Sequence, residues 1–345
     1  MIRIVCFVFI ITCLSCGDRG KKTENPVLQP LKPGSLTGNI VKYDPELDVV
    51  ISVETKAEVL AAGFDWSEGP LWLEDQQKLI FSDVPNNKIY EWTALKGKQI
   101  YLEPSGYTKE IPAENGESGS NGLTFDREGK LLICQHGDRR VVRMDVGLDN
   151  PAARFTTLAS TFEGKKFNSP NDLVCSSSGE IYFTDPPYGL PSTSDDEPKR
   201  ELPWNGVYKI KKDGKVILLT DSLTRPNGII LMPGEKQLIV ANSDRDKPNL
   251  CIWDIEKDSL KNGRILHSFA GFDKKMKGLP DGLKVDSRGY MYVTGPGGVY
   301  FFNKEGKKLG LLSLENPASN CTLSDDEKFL YITNESYILR VALKK

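Results

Sequence analysis

The 345-residue sequence predicts an all-β fold, a six-bladed β-propeller around a central channel, and three observations carry that prediction. A polar anchor recurs six times ahead of an apolar run, a polar turn and a second apolar run. The anchors are Glu68-Gly69-Pro70, Asn121-Gly122-Leu123, Asn171-Asp172-Leu173, Asn227-Gly228-Ile229, Asp281-Gly282-Leu283 and Asn320-Cys321-Thr322. Successive anchors stand 53, 50, 56, 54 and 39 residues apart, the size of a propeller blade and too long for a β-solenoid. Finally, the apolar runs are short, β-branched and aromatic, with no helical periodicity, and a sandwich would not repeat internally.

Taken in order, the chain divides into three parts. Residues 1–16 hold Arg3 and an apolar run over 4–14, too short to span a bilayer and of signal-peptide length. The run ends in Cys13-Leu14-Ser15-Cys16-Gly17, which resembles a lipobox with Cys16 as the acylated residue; simple secretion and an uncleaved anchor are the alternatives. A diacylglyceryl anchor at Cys16 would make this an exported, periplasmic or cell-surface lipoprotein. Residues 17–48, rich in Lys, Gly, Pro and Asn, predict a flexible tether. Residues 49–345 form the propeller, in which 49–60 is a leftover strand expected to complete the last blade and join the two ends of the ring.

Within each repeat a second strand follows the first, as in Leu79-Ile80-Phe81-Ser82-Asp83 and Ile181-Tyr182-Phe183-Thr184-Asp185. A third strand comes next, as in Gly298-Val299-Tyr300-Phe301-Phe302. Long insertions occupy 103–120 and 186–205, and loops of that length in a compact array are usually functional lids or disordered excursions.

With 39% hydrophobic and 27% charged residues the composition is globular. The net charge of -2 arises from 45 basic and 47 acidic residues without a basic block, which argues against nucleic acid and for a small-molecule partner. Beyond the leader, Cys134, Cys175, Cys251 and Cys321 lie in four different repeats and predict buried free thiols, with disulfides as the alternative.

Equivalent positions of a propeller sit at one height around one axis, so the six anchors form a ring. Antiparallel pairing returns the end of each second strand to the same mouth, which gathers Asp83, His136, Asp185 and Asn242 there. Two carboxylates with amide oxygens suit a hard divalent cation, although Asn-Gly and Asp-Gly also make ordinary turns. His136, one of two histidines, is either a hydrogen-bonding strut or a proton acceptor, whereas His267 reads as an outer-strand residue. Asn121, Asp172 and Tyr188 are candidates for holding a substrate. Tyr188 and Trp204 either stack on a sugar face or pin the second insertion, and Asp195-Asp196-Glu197 reads as a solvated loop tip.

The stretches Ser67-Glu68-Gly69-Pro70-Leu71-Trp72, Phe167-Asn168-Ser169-Pro170-Asn171-Asp172, Tyr182-Phe183-Thr184-Asp185-Pro186-Pro187-Tyr188-Gly189, Arg225-Pro226-Asn227-Gly228 and Leu279-Pro280-Asp281-Gly282 resemble the gluconolactonase, senescence-marker-protein and regucalcin family, in its bacterial gluconolactonase-like branch. The resemblance implies a six-bladed propeller with one divalent ion at the channel mouth, usually calcium, with magnesium, manganese or zinc as substitutes in vitro. It further implies Glu68, Asn171, Asn227 and Asp281 as the metal-contacting set, with Asp281 also the proton-transfer residue and His136 its alternative. The expected activity is hydrolysis of a sugar lactone to the aldonic acid. A non-catalytic, cation-dependent sugar-binding lipoprotein and a hydrolase of other lactones or esters are the competing readings.

Overall fold

Among the described residues six antiparallel blade sheets follow one another, each starting at the channel and ending at the rim, and a two-stranded ribbon of Thr161–Phe162 and Lys165–Lys166 is the seventh sheet. The structure, a computed structural model, describes residues 30–111, 113 and 116–345. The expected signal peptide with Cys16, and residues 17–29 of the expected tether, lie outside the described residues. Blade 1 is built from Ser67–Leu73, Lys78–Asp83, Lys88–Thr93 and Gly97–Leu102, paired in that order. Blades 2, 3, 4 and 5 repeat the plan from inner strands Ser120–Phe125, Leu173–Cys175, Pro226–Leu231 and Leu283–Val285.

The ring closes with strands from both ends of the described chain. Blade 6 takes Asn320–Leu323, Phe329–Asn334 and Tyr337–Ala342 from the late sequence, and Ala57–Ala62 pairs beside the last of these. The leftover early strand therefore completes the last blade, starting at Ala57.

Where 17–48 was expected to be wholly a tether, the structure differs. Leu36–Thr37 adds a fifth strand to blade 6, and Asn39–Lys42 a fifth to blade 5 against Lys308–Ser313. The 3₁₀ turn Pro45–Val49 then inserts Leu47, and Val50 and Ile51 follow it into the core between the two blades. Ordering this segment is worthwhile because it satisfies two sheet edges and buries three large aliphatic side chains.

Apolar side chains collect in six clusters among the described residues, one at each interface between neighbouring blades. Leu79, Phe81 and Trp92 of blade 1, for example, pack against Tyr331 and Ile338 of blade 6. The alternation of the strands produces this arrangement, since each blade presents an apolar face to both of its neighbours. Cys134, Cys175, Cys251 and Cys321 are free thiols. No helix among the described residues is long and apolar enough to cross a membrane.

At the channel the blades meet backbone to backbone, which explains the glycine that follows four of the anchors. A Cβ on Gly69 would lie 2.0 Å from the Asn121 carbonyl oxygen, and one on Gly282 would lie 2.0 Å from the Asn320 side chain. Each of these glycines makes room for the next blade's anchor. Hydroxyls peg the same seam: Ser82 Oγ donates to Asn121 O at 2.8 Å, and Thr184 Oγ1 to Asn227 O at 2.7 Å. Glu68, Asn121, Asn227 and Asn320 lie within inner strands, so the anchor-glycine pairs mark close packing of the ring rather than hairpin turns.

Candidate active site

The anchors reach the mouth because the inner strands are irregular there. Pairing slips between Glu68 and Leu71, between Ser120 and Leu123, and between Pro226 and Ile229. A slip of this kind bends the strand and re-aims the side chains it carries. In blades 3 and 5 the anchors Asn171 and Asp281 stand just before the inner strand, tied to the second strand through Thr184 O at 2.8 Å and Thr294 O at 3.2 Å.

Here they surround a cavity of about 300 Å³. Glu68, Asn121, Asn171, Asn227 and Asp281 line it together with Tyr188, as the sequence predicts. Its remaining walls come from Trp66, Gly278, Leu279, Pro317 and Ala318, and from Glu117, Ser243 and Arg245. None of these eight is among the candidates that the sequence offers. Leu279 and Trp66 each stand two residues before an anchor, which is a usable signal; Glu117 and Arg245 lie in loops outside the repeat and carry none.

Other expected site residues take different places. Asp172 does not line the cavity: it is buried in the channel, where its Oδ1 accepts from Leu173 N–H at 2.9 Å and sits close against Gly122. Asn320 turns its Oδ1 back to accept from Cys321 N–H at 2.8 Å. Trp204 pins the second insertion, donating from Nε1 to Tyr208 Oη at 2.9 Å, while Tyr188 faces the cavity. Asp195 is solvent-exposed, as a solvated loop tip should be, and pairs with Arg200 at 2.6 Å.

The second-strand ends do return to the mouth, but Asp83, Asp185 and Asn242 are occupied in holding the chain that enters each blade. Asp185 accepts backbone N–H from Asn168 and Ser169, both at 2.8 Å. Asp83 Oδ1 accepts from Trp66 N–H at 3.2 Å, and Asn242 Oδ1 from Arg225 N–H at 2.8 Å. His136 is different. Its ring is fully buried, Nε2 lies 3.4 Å from Asn171 Nδ2, and Nδ1 lies 4.0 Å from the Glu117 carboxylate. Gly189 of the second insertion covers it so closely that a Cβ there would sit 2.7 Å from the histidine Cβ.

Electrostatics at the mouth are strained. Burial, and secondarily Asp172, pushes the Glu68 carboxyl up, against hydrogen bonds from Gly69 N–H and Trp66 Nε1. Asp281 is pushed up by burial and then by Glu68, Asp172 and Glu117. Burial raises Glu117 to about 7 and lowers His136 to about 4, so the imidazole is neutral at physiological pH. Several carboxyls thus share one poorly solvated space, with Arg245 as the cationic side chain on its wall.

Of the five buried side-chain oxygens without a protein hydrogen-bond partner among the described residues, three belong to residues that line this cavity, Asn121 Oδ1, Asn171 Oδ1 and Asp281 Oδ1; the other two are Asn168 Oδ1 and Asp172 Oδ2. Orphaned buried acceptors are uncommon in folded proteins and call for a ligand, water or ion. Among the described residues no group of three or more His, Cys, Asp and Glu could hold a metal ion. The donor set is instead two acids with amide oxygens, which fits a hard cation taking oxygen ligands and not a thiophilic or imidazole-seeking one.

Residues 66–336 match the family model described as the SMP-30/gluconolactonase/LRE-like region. The chain belongs to that family. This family member is 39% identical to a gluconolactonase of Zymomonas mobilis over 318 residues, covering 90% of this chain and 88% of the relative. It is 24% identical to a pentonolactonase of Haloferax volcanii, covering 77% and 80% of the two chains. Among solved structures it resembles a gluconolactonase of Xanthomonas campestris with a TM-score of 0.76 and 26% identity, over 91% of this chain and 99% of that one.

Proposed function

We propose that this chain is a metal-dependent lactonase that hydrolyses a sugar lactone, glucono-1,5-lactone or a related aldonolactone, to the aldonic acid. The observation that supports it best is the group of partnerless oxygens on Asn121, Asn171 and Asp281, in a cavity that also holds Glu68. Full-length similarity to a gluconolactonase supplies the substrate class.

Glu68, Asn171, Asn227 and Asp281 would hold one divalent cation, calcium in this reading. When bound, such an ion supplies a Lewis acid for a carbonyl oxygen and lowers the pKa of water. The rest falls to the protein. Asp281 accepts the proton that water loses as it attacks the lactone carbonyl, because its carboxyl faces the cavity with Oδ1 uncommitted. His136, the alternative acceptor, has Nε2 turned to the Asn171 amide, which suits it to supporting the site rather than to taking that proton. Trp66 and Tyr188 line the cavity as aromatic surface for a sugar, and Asn121 offers an amide to its hydroxyls.

A pH-stat assay of acid release from glucono-1,5-lactone and pentonolactones, with and without chelator, tests the proposal. Metal-dependent release is expected, and Asp281→Asn should lower kcat/KM by about 10²–10⁴-fold. Cation binding without release of acid from any lactone in the panel would instead make this a cation-dependent sugar-binding protein.

A further inference from the structure

Glu117 lies outside the six-fold repeat, near the end of the first insertion, and its side chain lines the cavity. The backbone on either side of the insertion's tip is fixed to the propeller. Asn87 Oδ1 accepts from Gly106 N–H at 2.8 Å and Tyr107 N–H at 3.0 Å. After the tip, Gly137 N–H donates to Ser118 O at 3.2 Å and Gly119 N–H to Val84 O at 2.8 Å. Glu117 is therefore delivered to the mouth by anchored main chain.

The proton positions on His136 follow from what it faces. Asn171 Nδ2 can only donate, so the Nε2 it approaches at 3.4 Å has to be the bare lone pair of the ring. A neutral imidazole then carries its proton on Nδ1. That N–H makes no hydrogen bond of normal geometry, in a ring without solvent exposure; the Glu117 main chain neighbours the ring and the Glu117 carboxylate stands 4.0 Å from Nδ1. A side-chain shift of about 1 Å brings the two into hydrogen-bond range. The Glu117 carboxyl is half-buried.

We propose that Glu117 is a positioning residue for the cation site: its carboxylate receives the Nδ1 proton of His136, which holds the imidazole in one tautomer and turns Asn171 Nδ2 to the ring and Asn171 Oδ1 to the cavity. The inference rests on the cation-binding reading above. Groups that orient a ligand from behind commonly govern metal affinity as strongly as weak ligands do. Here that group comes from an insertion and not from a blade.

The test uses the full chain and two readouts. With only two histidines in the sequence, nitrogen-15 NMR of the imidazoles can be assigned with a His267→Gln variant. Wild-type His136 is expected as the Nδ1–H tautomer, and Glu117→Ala should mix the tautomers and weaken calcium binding in calorimetry by about tenfold. Glu117→Gln should restore both, because its amide oxygen accepts the same N–H. Two results would overturn the proposal: an unchanged tautomer and affinity in Glu117→Ala, or a Glu117→Gln variant as impaired as Glu117→Ala, which would assign the effect to charge alone. Absence of calcium binding by the wild-type protein, with a tautomer that still depends on Glu117, would overturn the cation reading while supporting the Glu117–His136 contact.

Discussion

Two sets of buried polar residues repeat around the same mouth, and they differ in one property. Asp83, Asp185 and Asn242, at the second-strand ends, use their oxygens to accept backbone N–H from the segments that enter their blades. Asn121, Asn171 and Asp281, at the anchors, keep an oxygen that no protein donor reaches. Burial and polarity are shared, so neither distinguishes structure from function here. Hydrogen-bond satisfaction does: the first set holds the fold, and the second is held by it.

The largest effect should separate the two sets by stability. Asp185→Ala orphans two buried N–H groups and is expected to lower unfolding free energy by about 2–4 kcal/mol in urea titration. Asn171→Ala removes an unpaired oxygen and one long contact to His136, and should cost under about 1 kcal/mol. Equal losses would erase the distinction.

A slightly smaller effect tests the anchors from the ligand side. Calcium at a hundredfold excess over its dissociation constant should stabilise the wild-type protein by about 2.7 kcal/mol, seen as a rise in Tm that chelator reverses. Asn171→Ala should lose most of that gain and Asp185→Ala should keep it. If both variants respond like the wild type, Asn171 is not among the ligands.

The smallest effect concerns acid. Burial lowers His136 to about 4, and burial with Lys308 lowers His267 to about 4, each from an ordinary value near 6.5. The unfolded chain binds these protons first, so stability is retained above pH 6.5 and falls as pH drops from there toward 4. His267→Gln, on the partly exposed outer strand, should recover about 1 kcal/mol at pH 5 after allowance for solvent screening. An unchanged acid curve would leave the sensitivity to the mouth.

The fold was legible because its period is written into the chain: each blade needs an inner strand that admits its neighbour, and the anchor-glycine pairs record that need. The early boundary was not. Leu47, Val50 and Ile51 fill the space between blades 5 and 6 with no periodicity of their own, and Asn39–Lys42 is a four-residue, mostly exposed rim strand, too short to show an alternation of its own. At the site, Glu68, Asn171, Asn227 and Asp281 could be aligned by repeat and do line one cavity. Asp172 sits where four other blades carry glycine, and only packing reveals that its carboxyl lies within the channel rather than at the mouth. The structural duty of Asp185 depends on Asn168, 17 residues earlier in an irregular segment, a pairing that no strand pattern announces. Glu117 escaped because an insertion has no counterpart in the other repeats.

The seam of the ring also has a consequence in time. Ala57–Ala62 completes blade 6 against Tyr337–Ala342, and Arg340 pairs with Glu58 across 282 residues of sequence. A ribosome makes the early strand long before its partner, so that strand must wait with an open edge while five blades are synthesised. Closure is then one of the longest-range steps the chain takes, and its cost in loop entropy comes due only when the rest of the circle is available to offset it. A ring of this kind stays open at its seam until its last strand exists.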